Sequence, residues 1–293
     1  MNIVSEIKTS FKSGSTLIKL LYVNIGVFII VNVVHLVLFL LNIPPEQYSI
    51  VNWLSVPANL NLLMTRPWTM ITYMFLHEEI WHIIFNMLWL YWFGHIFLQY
   101  LDDKKLFQVY ILGGIAGAFF YILCYNIFPA FQQLLPSSIA LGASASVLAV
   151  VIAISAYVPD YSINLLFIGP VKIKYIAIFT IILDIVSIKA GNSGGHLAHL
   201  GGAIFGYVYI MNLKKGKDLG LGIHKISDFI FNLFTPRKKI KISYQRPKSD
   251  FEFAKEKNNR QKETDRILDK IAKGGYESLS KEEKEFLFNQ SKK

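Results

Sequence analysis

Up to Met211, apolar positions run together in blocks instead of alternating with polar ones, and short polar stretches separate the blocks. Each block holds about 20 residues, which as a helix rising about 1.5 Å per residue crosses a hydrocarbon core of about 30 Å. Six transmembrane helices are predicted, over 21–41, 80–100, 106–127, 139–158, 172–188 and 195–212. Pro44-Pro45 ends the first, Asp102-Asp103-Lys104-Lys105 closes the second, Pro159-Asp160 follows the fourth, and Lys214, Lys215 and Lys217 close the sixth. The fold class expected is an all-α polytopic membrane protein. The first run is longer than the apolar stretch of a signal peptide and precedes no convincing cleavage site, so it is expected to be a retained span.

Outside the blocks the pattern changes. Residues 1–20 set Ile3, Val4, Ile7 and Phe11 against Lys8 and Lys12, as in a short interfacial helix. The connection 43–79 carries Trp53, Leu54, Leu60, Met64, Trp68 and Phe75, which suits a loop lying partly in the membrane interface. Beyond the 21–212 membrane domain, 213–262 is expected to hold a basic juxtamembrane helix (Ile223, Ile226, Ile230, Leu233) and a linker. Residues 263–293 read as a small helical hairpin, with Gly274-Gly275 as stop and Ser280 with Glu283 as capping box.

Composition agrees with the blocks: 53% of the 293 residues are hydrophobic and 17% charged, against roughly 25% charged in soluble domains. The net charge of +10 is uneven, since 21 of the 30 Lys+Arg and 12 of the 20 Asp+Glu follow Met211. Beside a membrane domain, such a basic tail points to anionic lipid on the cytoplasmic side, and no nucleic-acid partner is expected. The N-terminal segment, the 102–105 and 159–174 turns and the tail hold most of the lysines, and the 128–138 loop has none. Both termini are therefore expected in the cytoplasm.

Candidate chemistry sits inside the apolar blocks, where ionisable groups are costly and so tend to be functional. In Gly194 to Gly206, Ala198, Gly202 and Gly206 recur every four residues and form a groove for a second helix, with His199 on the same face. Ser144, in Leu141-Gly142-Ala143-Ser144-Ala145, is the matching candidate nucleophile, and Gly142 and Ala145 beside it leave room for a substrate backbone. Taken alone, Ser144 suits a serine bonded back to its own helix, and His199 a buried histidine on a carbonyl. With spans two, four and six starting at the outer face, both fall about five residues, or about 8 Å, into their helices. Ser146 lies about 200° around the helix from Ser144, so only one of the two can face span six. His82 and Asn86, at i and i+4 near the start of span two, share a face and could aim donors at an oxyanion. His196 is expected to be structural or interfacial. Asp184 could orient His199, but a pairing with Lys189 or the 190–194 turn is favoured.

Other chemistries fit less well. His77-Glu78 begins like a zincin motif, but the second histidine comes five residues later instead of four, and no third ligand is apparent. No metal and no cofactor are expected. The single cysteine, Cys124, excludes an intrachain disulfide.

These motifs resemble those of rhomboid-family intramembrane serine proteases, in particular bacterial members with a C-terminal tail extension. The likeness rests on Gly142-Ala143-Ser144 in the fourth helix, on Gly194, Ala198, His199, Gly202 and Gly206 in the sixth, and on His82 with Asn86 in the second. It covers about residues 17–212. It departs from the family at Ala145, where glycine is common, at Leu148, where some members have tyrosine, and in Arg66-Pro67-Trp68-Thr69 of the first loop. The resemblance implies Ser144 as nucleophile, His199 as general base, and an oxyanion hole of His82, Asn86 and the Ser144 N–H. It also implies transmembrane protein substrates cut near their outer ends, in a bacterial cytoplasmic membrane. The rival reading is an inactive rhomboid-like protein that binds or escorts membrane clients. Internal repeats or broken midplane helices would mark a transporter, and neither is seen.

Overall fold

The computed structural model describes residues 3–44, 50–166, 168–220 and 249–290. They belong to two compact units, Met1–Arg237 and Lys238–Lys293. In the first unit, α1 (Ile3–Ser13) precedes α2 (Thr16–Leu40), which Ser15 caps by accepting from the Ile18 N–H. Three more long helices and two shorter ones follow: α6 (Ile80–Tyr100), α7 (Asp103–Ile127), α8 (Ser144–Tyr157), α9 (Ile173–Ser187) and α10 (Ser193–Lys214). Among the described residues α2, α6 and α7 are long and apolar enough to cross a membrane, and α8 is apolar but shorter.

α8 is the centre of the bundle. Every residue from Ala145 to Ser155 is buried, and the helix packs against α6, α7, α9 and α10. A helix that is apolar all round is stable only when enclosed in this way. Small residues bring its neighbours close: β-carbons on Gly202 and Gly206 of α10 would collide with the carbonyl oxygens of Ala145 and Ala149, and one on Gly113 of α7 with the Ala149 β-carbon. Peripheral helices show the opposite pattern. α9 buries only Ile173, Ala177 and Asp184, while Phe179, Ile182, Ile185 and Val186 are more than half exposed, as a lipid-facing surface requires.

The first loop is folded, not merely interfacial. Its described part contains α3 (Ile50–Leu54), β1 (Val56–Pro57), α4 (Leu60–Thr65), α5 (Thr69–Thr72) and a 3₁₀ turn, Tyr73–Phe75. Trp53 stacks on Trp68, the Arg66 guanidinium lies 4.5 Å from the Trp53 ring centre, and Trp68 Nε1 donates to the Trp53 carbonyl. β1 pairs antiparallel with β2 (Ile139–Ala140), Val56 opposite Ala140 and Pro57 opposite Ile139.

That pairing corrects the fourth predicted element. Its helix starts at Ser144 and not at 139, because 139–140 is extended against β1 and Gly142 turns the chain with φ +120°. Ser144 therefore opens α8 instead of lying five residues inside it. A second ladder, β3 (Ser162–Leu165) with β4 (Gly169–Lys172), forms the turn before α9, where Lys172 and Lys174 both bond Asp160. The juxtamembrane helix expected around 223–234 lies outside the described residues.

The second unit is a hairpin whose first helix, Asp250–Gly274, begins well before the expected 263, because Ser249 and Glu252 form a capping box. The second, Lys281–Gln290, is capped by Ser280, whose hydroxyl accepts from the Glu283 N–H while the Glu283 carboxylate accepts from the Ser280 N–H.

Candidate active site

A turn leads into Ser144, the first residue of α8. Gly142 N–H donates to the Tyr73 carbonyl (2.9 Å) and Ala143 N–H to His77 Nε2 (3.4 Å), so the first loop holds both residues before the serine. His77 accepts because it is neutral: burial, with His82 adding to it, pushes its pKa down to about 4. Gly142 needs to be glycine twice over. Its φ is positive, and a β-carbon would stand 2.7 Å from His82 Cε1 and 2.9 Å from His82 Nε2. The His82 ring thus covers Gly142 and lines the same cavity as Ser144, and its centre lies 5.1 Å from that of the His77 ring. Asn86, one turn on, is buried and donates through Nδ2 to the His82 carbonyl (2.9 Å), leaving a second N–H on the same nitrogen.

The two serines separate as their spacing requires. Ser144 is partly exposed to a cavity, whereas Ser146 is fully buried, with Oγ 3.8 Å from Met74 Sδ on the other side of α8.

His199 reaches the same cavity from α10. That helix starts at Asn192, which has φ +49° and accepts the Gly195 N–H, and its glycines press it onto α8. His199 Nδ1 lies 2.8 Å from Asp184 Oδ1, and His196 Nδ1 lies 2.8 Å from the same oxygen. This corrects the expected pairing of Asp184 with Lys189 or the 190–194 turn. It also moves His196, expected to be structural or interfacial, into the polar cluster. A carboxylate only accepts, so each Nδ1 is the donor of its bond and each Nε2 is the ring nitrogen turned away from Asp184.

One cavity of about 500 Å³ is lined by Ser144, His199, His82, Asn86, His196 and Asp184, with an apolar remainder that includes Phe85, Trp89 and Leu148. All four residues singled out for chemistry therefore meet. Gly202 and Gly206 lie behind them at the α8–α10 contact. The Asp184 bridge was the part that spacing did not favour, and the only hint of it in the sequence was an acid in an apolar block.

Residues 64–215 match the model of the Rhomboid domain, and residues 249–293 match DUF6576, a family of unknown function. The chain is 32% identical over 158 residues to RHOMBOID-like protein 12, mitochondrial, of Arabidopsis thaliana, covering 51% of this chain and 47% of that one. It is 29% identical over 172 residues to Presenilin-associated rhomboid-like protein A, mitochondrial, of Danio rerio (57% and 42%). It is 30% identical over 148 residues to Rhomboid protein 1, mitochondrial, of Saccharomyces cerevisiae (49% and 41%). The matched region thus spans less than half the length of each relative.

Proposed function

Because this chain belongs to the rhomboid family and is an integral, multi-pass membrane protein, we propose that it is a serine endopeptidase that cuts transmembrane proteins within the bilayer. The observation that carries this reading is the shared cavity of Ser144 and His199, with His199 Nδ1 tied to Asp184. His199 Nε2 takes the proton of Ser144, and the serine oxygen attacks the scissile carbonyl. The tetrahedral oxyanion is met by donors from His82, Asn86 and the Ser144 N–H. That N–H stands in the first turn of α8, where backbone donors have no partner within the helix and the helix dipole favours negative charge. His199 then protonates the leaving amine, and a water activated by the same nitrogen releases the acyl-enzyme. Asp184 acts as a positioning residue, holding the tautomer and stabilising the imidazolium.

Six membrane crossings, with both termini cytoplasmic, are part of the proposal. They are supported by helices near all six predicted positions and by the lysine-rich 102–105 and 159–174 turns. Substrates are then cut near their outer ends, where a helix must unwind to present a carbonyl. The tail's lysines and arginines meet anionic lipid. A bacterial cytoplasmic membrane is the location we favour, on the likeness to bacterial members with a tail extension, although the three relatives carry mitochondrial names.

The test is cleavage of a tagged transmembrane substrate by the purified chain in liposomes. Wild type and Ser146→Ala are expected to yield product, and Ser144→Ala to lose at least about 10³-fold in rate. Cleavage that survives Ser144→Ala overturns the mechanism. Absence of product from every form, across several substrates, favours a client-binding protein instead.

A further inference from the structure

Catalysis uses Asp184 and His199, but nothing in it requires His196. Yet His196 Nδ1 converges on the same carboxylate oxygen, at the same 2.8 Å, as His199 Nδ1. One donor atom from each of the three side chains lies within 4.8 Å of the other two. Two imidazoles and a carboxylate form the donor set that zinc enzymes use, and Mg²⁺ and Ca²⁺ prefer all-oxygen sets. The scaffold is also suitable. His196 and His199 stand three residues apart on α10, on one side of the helix, and Asp184 faces them from α9. All three line the cavity, which leaves space for a water or a substrate group as a fourth ligand.

We propose that Asp184, His196 and His199 form an inhibitory site for zinc, or a similar divalent transition-metal ion, overlapping the catalytic histidine. Ligands about 2.0–2.1 Å from a tetrahedral ion stand about 3.4 Å apart, so the two hydrogen bonds need to open by roughly half an ångström. Coordination through Nδ1 uses the lone pair of that nitrogen, and the proton it carried passes through solvent to Nε2 of the same ring. Each imidazole stays neutral and no proton is lost overall. His199, now protonated at Nε2, cannot accept the proton of Ser144. The metal therefore stops the reaction reversibly by taking away its base.

The inhibitory consequence rests on the protease reading, but occupancy of the site does not. The experiment therefore has two arms, both on the 293-residue chain in detergent. In the first, Co²⁺ is added to the Ser144→Ala form and its visible spectrum is recorded. A tetrahedral spectrum, displaced by one equivalent of Zn²⁺ and lost in Ser144→Ala/His196→Gln, is expected. Placing cysteine at the same position (His196→Cys) should restore it with an added sulfur-to-metal charge-transfer band, which guards against a glutamine variant that simply misfolds. In the second arm, Zn²⁺ is titrated into the cleavage assay, each form normalised to its own metal-free rate. Half-inhibition is expected to need at least about tenfold more Zn²⁺ in His196→Gln than in the parent, with full recovery on adding chelator. No tetrahedral Co²⁺ spectrum, or equal Zn²⁺ sensitivity with and without His196, overturns the site. A chain that binds Co²⁺ as described but cleaves nothing keeps the metal site and removes the protease reading.

Discussion

Gly202 of α10 lies flush against the backbone of Ala145 in α8, so close that a β-carbon there would collide with the Ala145 carbonyl oxygen. The obstacle is backbone, which cannot rotate away, so the two helices must part. Gly202→Ala is expected to destabilise the bundle by about 1–3 kcal/mol, the usual cost of overpacking. It should lower cleavage further, because Ser144 and His199 ride on these two helices. Gly26→Ala in α2 is the control: nothing lies within 4 Å of its β-carbon position, and it should leave melting temperature and rate nearly unchanged. Thermal unfolding in detergent, together with initial rates, checks both.

Asp184→Asn keeps the size of the side chain and one acceptor but, on the proposed mechanism, removes the charge that steadies an imidazolium on His199. The expected result is a fall in kcat of at least about tenfold, with about 10⁴ as the ceiling set by loss of the correct tautomer in soluble triads. KM and melting temperature should move little. A merely structural role for Asp184 would instead lower the melting temperature and spare kcat in the fraction that remains folded.

On the proposed mechanism Asn86→Ala removes one oxyanion donor, and kcat is expected to drop by about 10²-fold. The bond from Asn86 Nδ2 to the His82 carbonyl lies within one helix and adds little to its stability. Steady-state kinetics with the tagged substrate decide. An unchanged kcat would remove Asn86 from the oxyanion hole.

Glu283 in the tail gives a pH prediction of defined sign. Lys270 foremost, then the Ser280 N–H, with Arg266 adding, hold its carboxyl down from 4.5 to about 2. A carboxyl whose folded pKa is depressed contributes stability above its unfolded pKa and loses that contribution as pH falls through the folded value. Protection of amides 250–290 against hydrogen exchange, corrected for intrinsic rates, should therefore decline between about pH 4.5 and pH 2. Glu283→Gln should lower protection at pH 7 and flatten the decline. An unchanged profile would mean that Glu283 does not support the hairpin.

Much of this was visible in the amino-acid order because membrane helices follow from local rules. The apolar blocks located the helices, the four-residue spacing of Ala198, Gly202 and Gly206 marked the α10 face that meets α8, and the 200° between Ser144 and Ser146 separated the two serines. The start of α8 was not visible. It depends on a two-residue ladder between Val56–Pro57 and Ile139–Ala140, segments more than 80 residues apart, and no local pattern records such a pairing. The Asp184 cluster was not favoured for a related reason. Whether an acid on one helix meets a histidine on the next depends on how the intervening turn sets the two helices, and spacing alone does not give that. The early start of the tail helix at Asp250 came from Ser249 and Glu252, a capping signal placed in a stretch that charge alone made look like linker.

The short ladder between β1 and β2 has a mechanical meaning. The residues leading to Ser144 are held by Val56 and Pro57, by the Tyr73 carbonyl and by His77, all of them in the first loop. Ser144 thus stands where the hold of that loop ends and α8 begins, while His199 is carried by α10. On the proposed mechanism, a shift of the first loop against the bundle would pull on the start of α8 and change the gap between nucleophile and base.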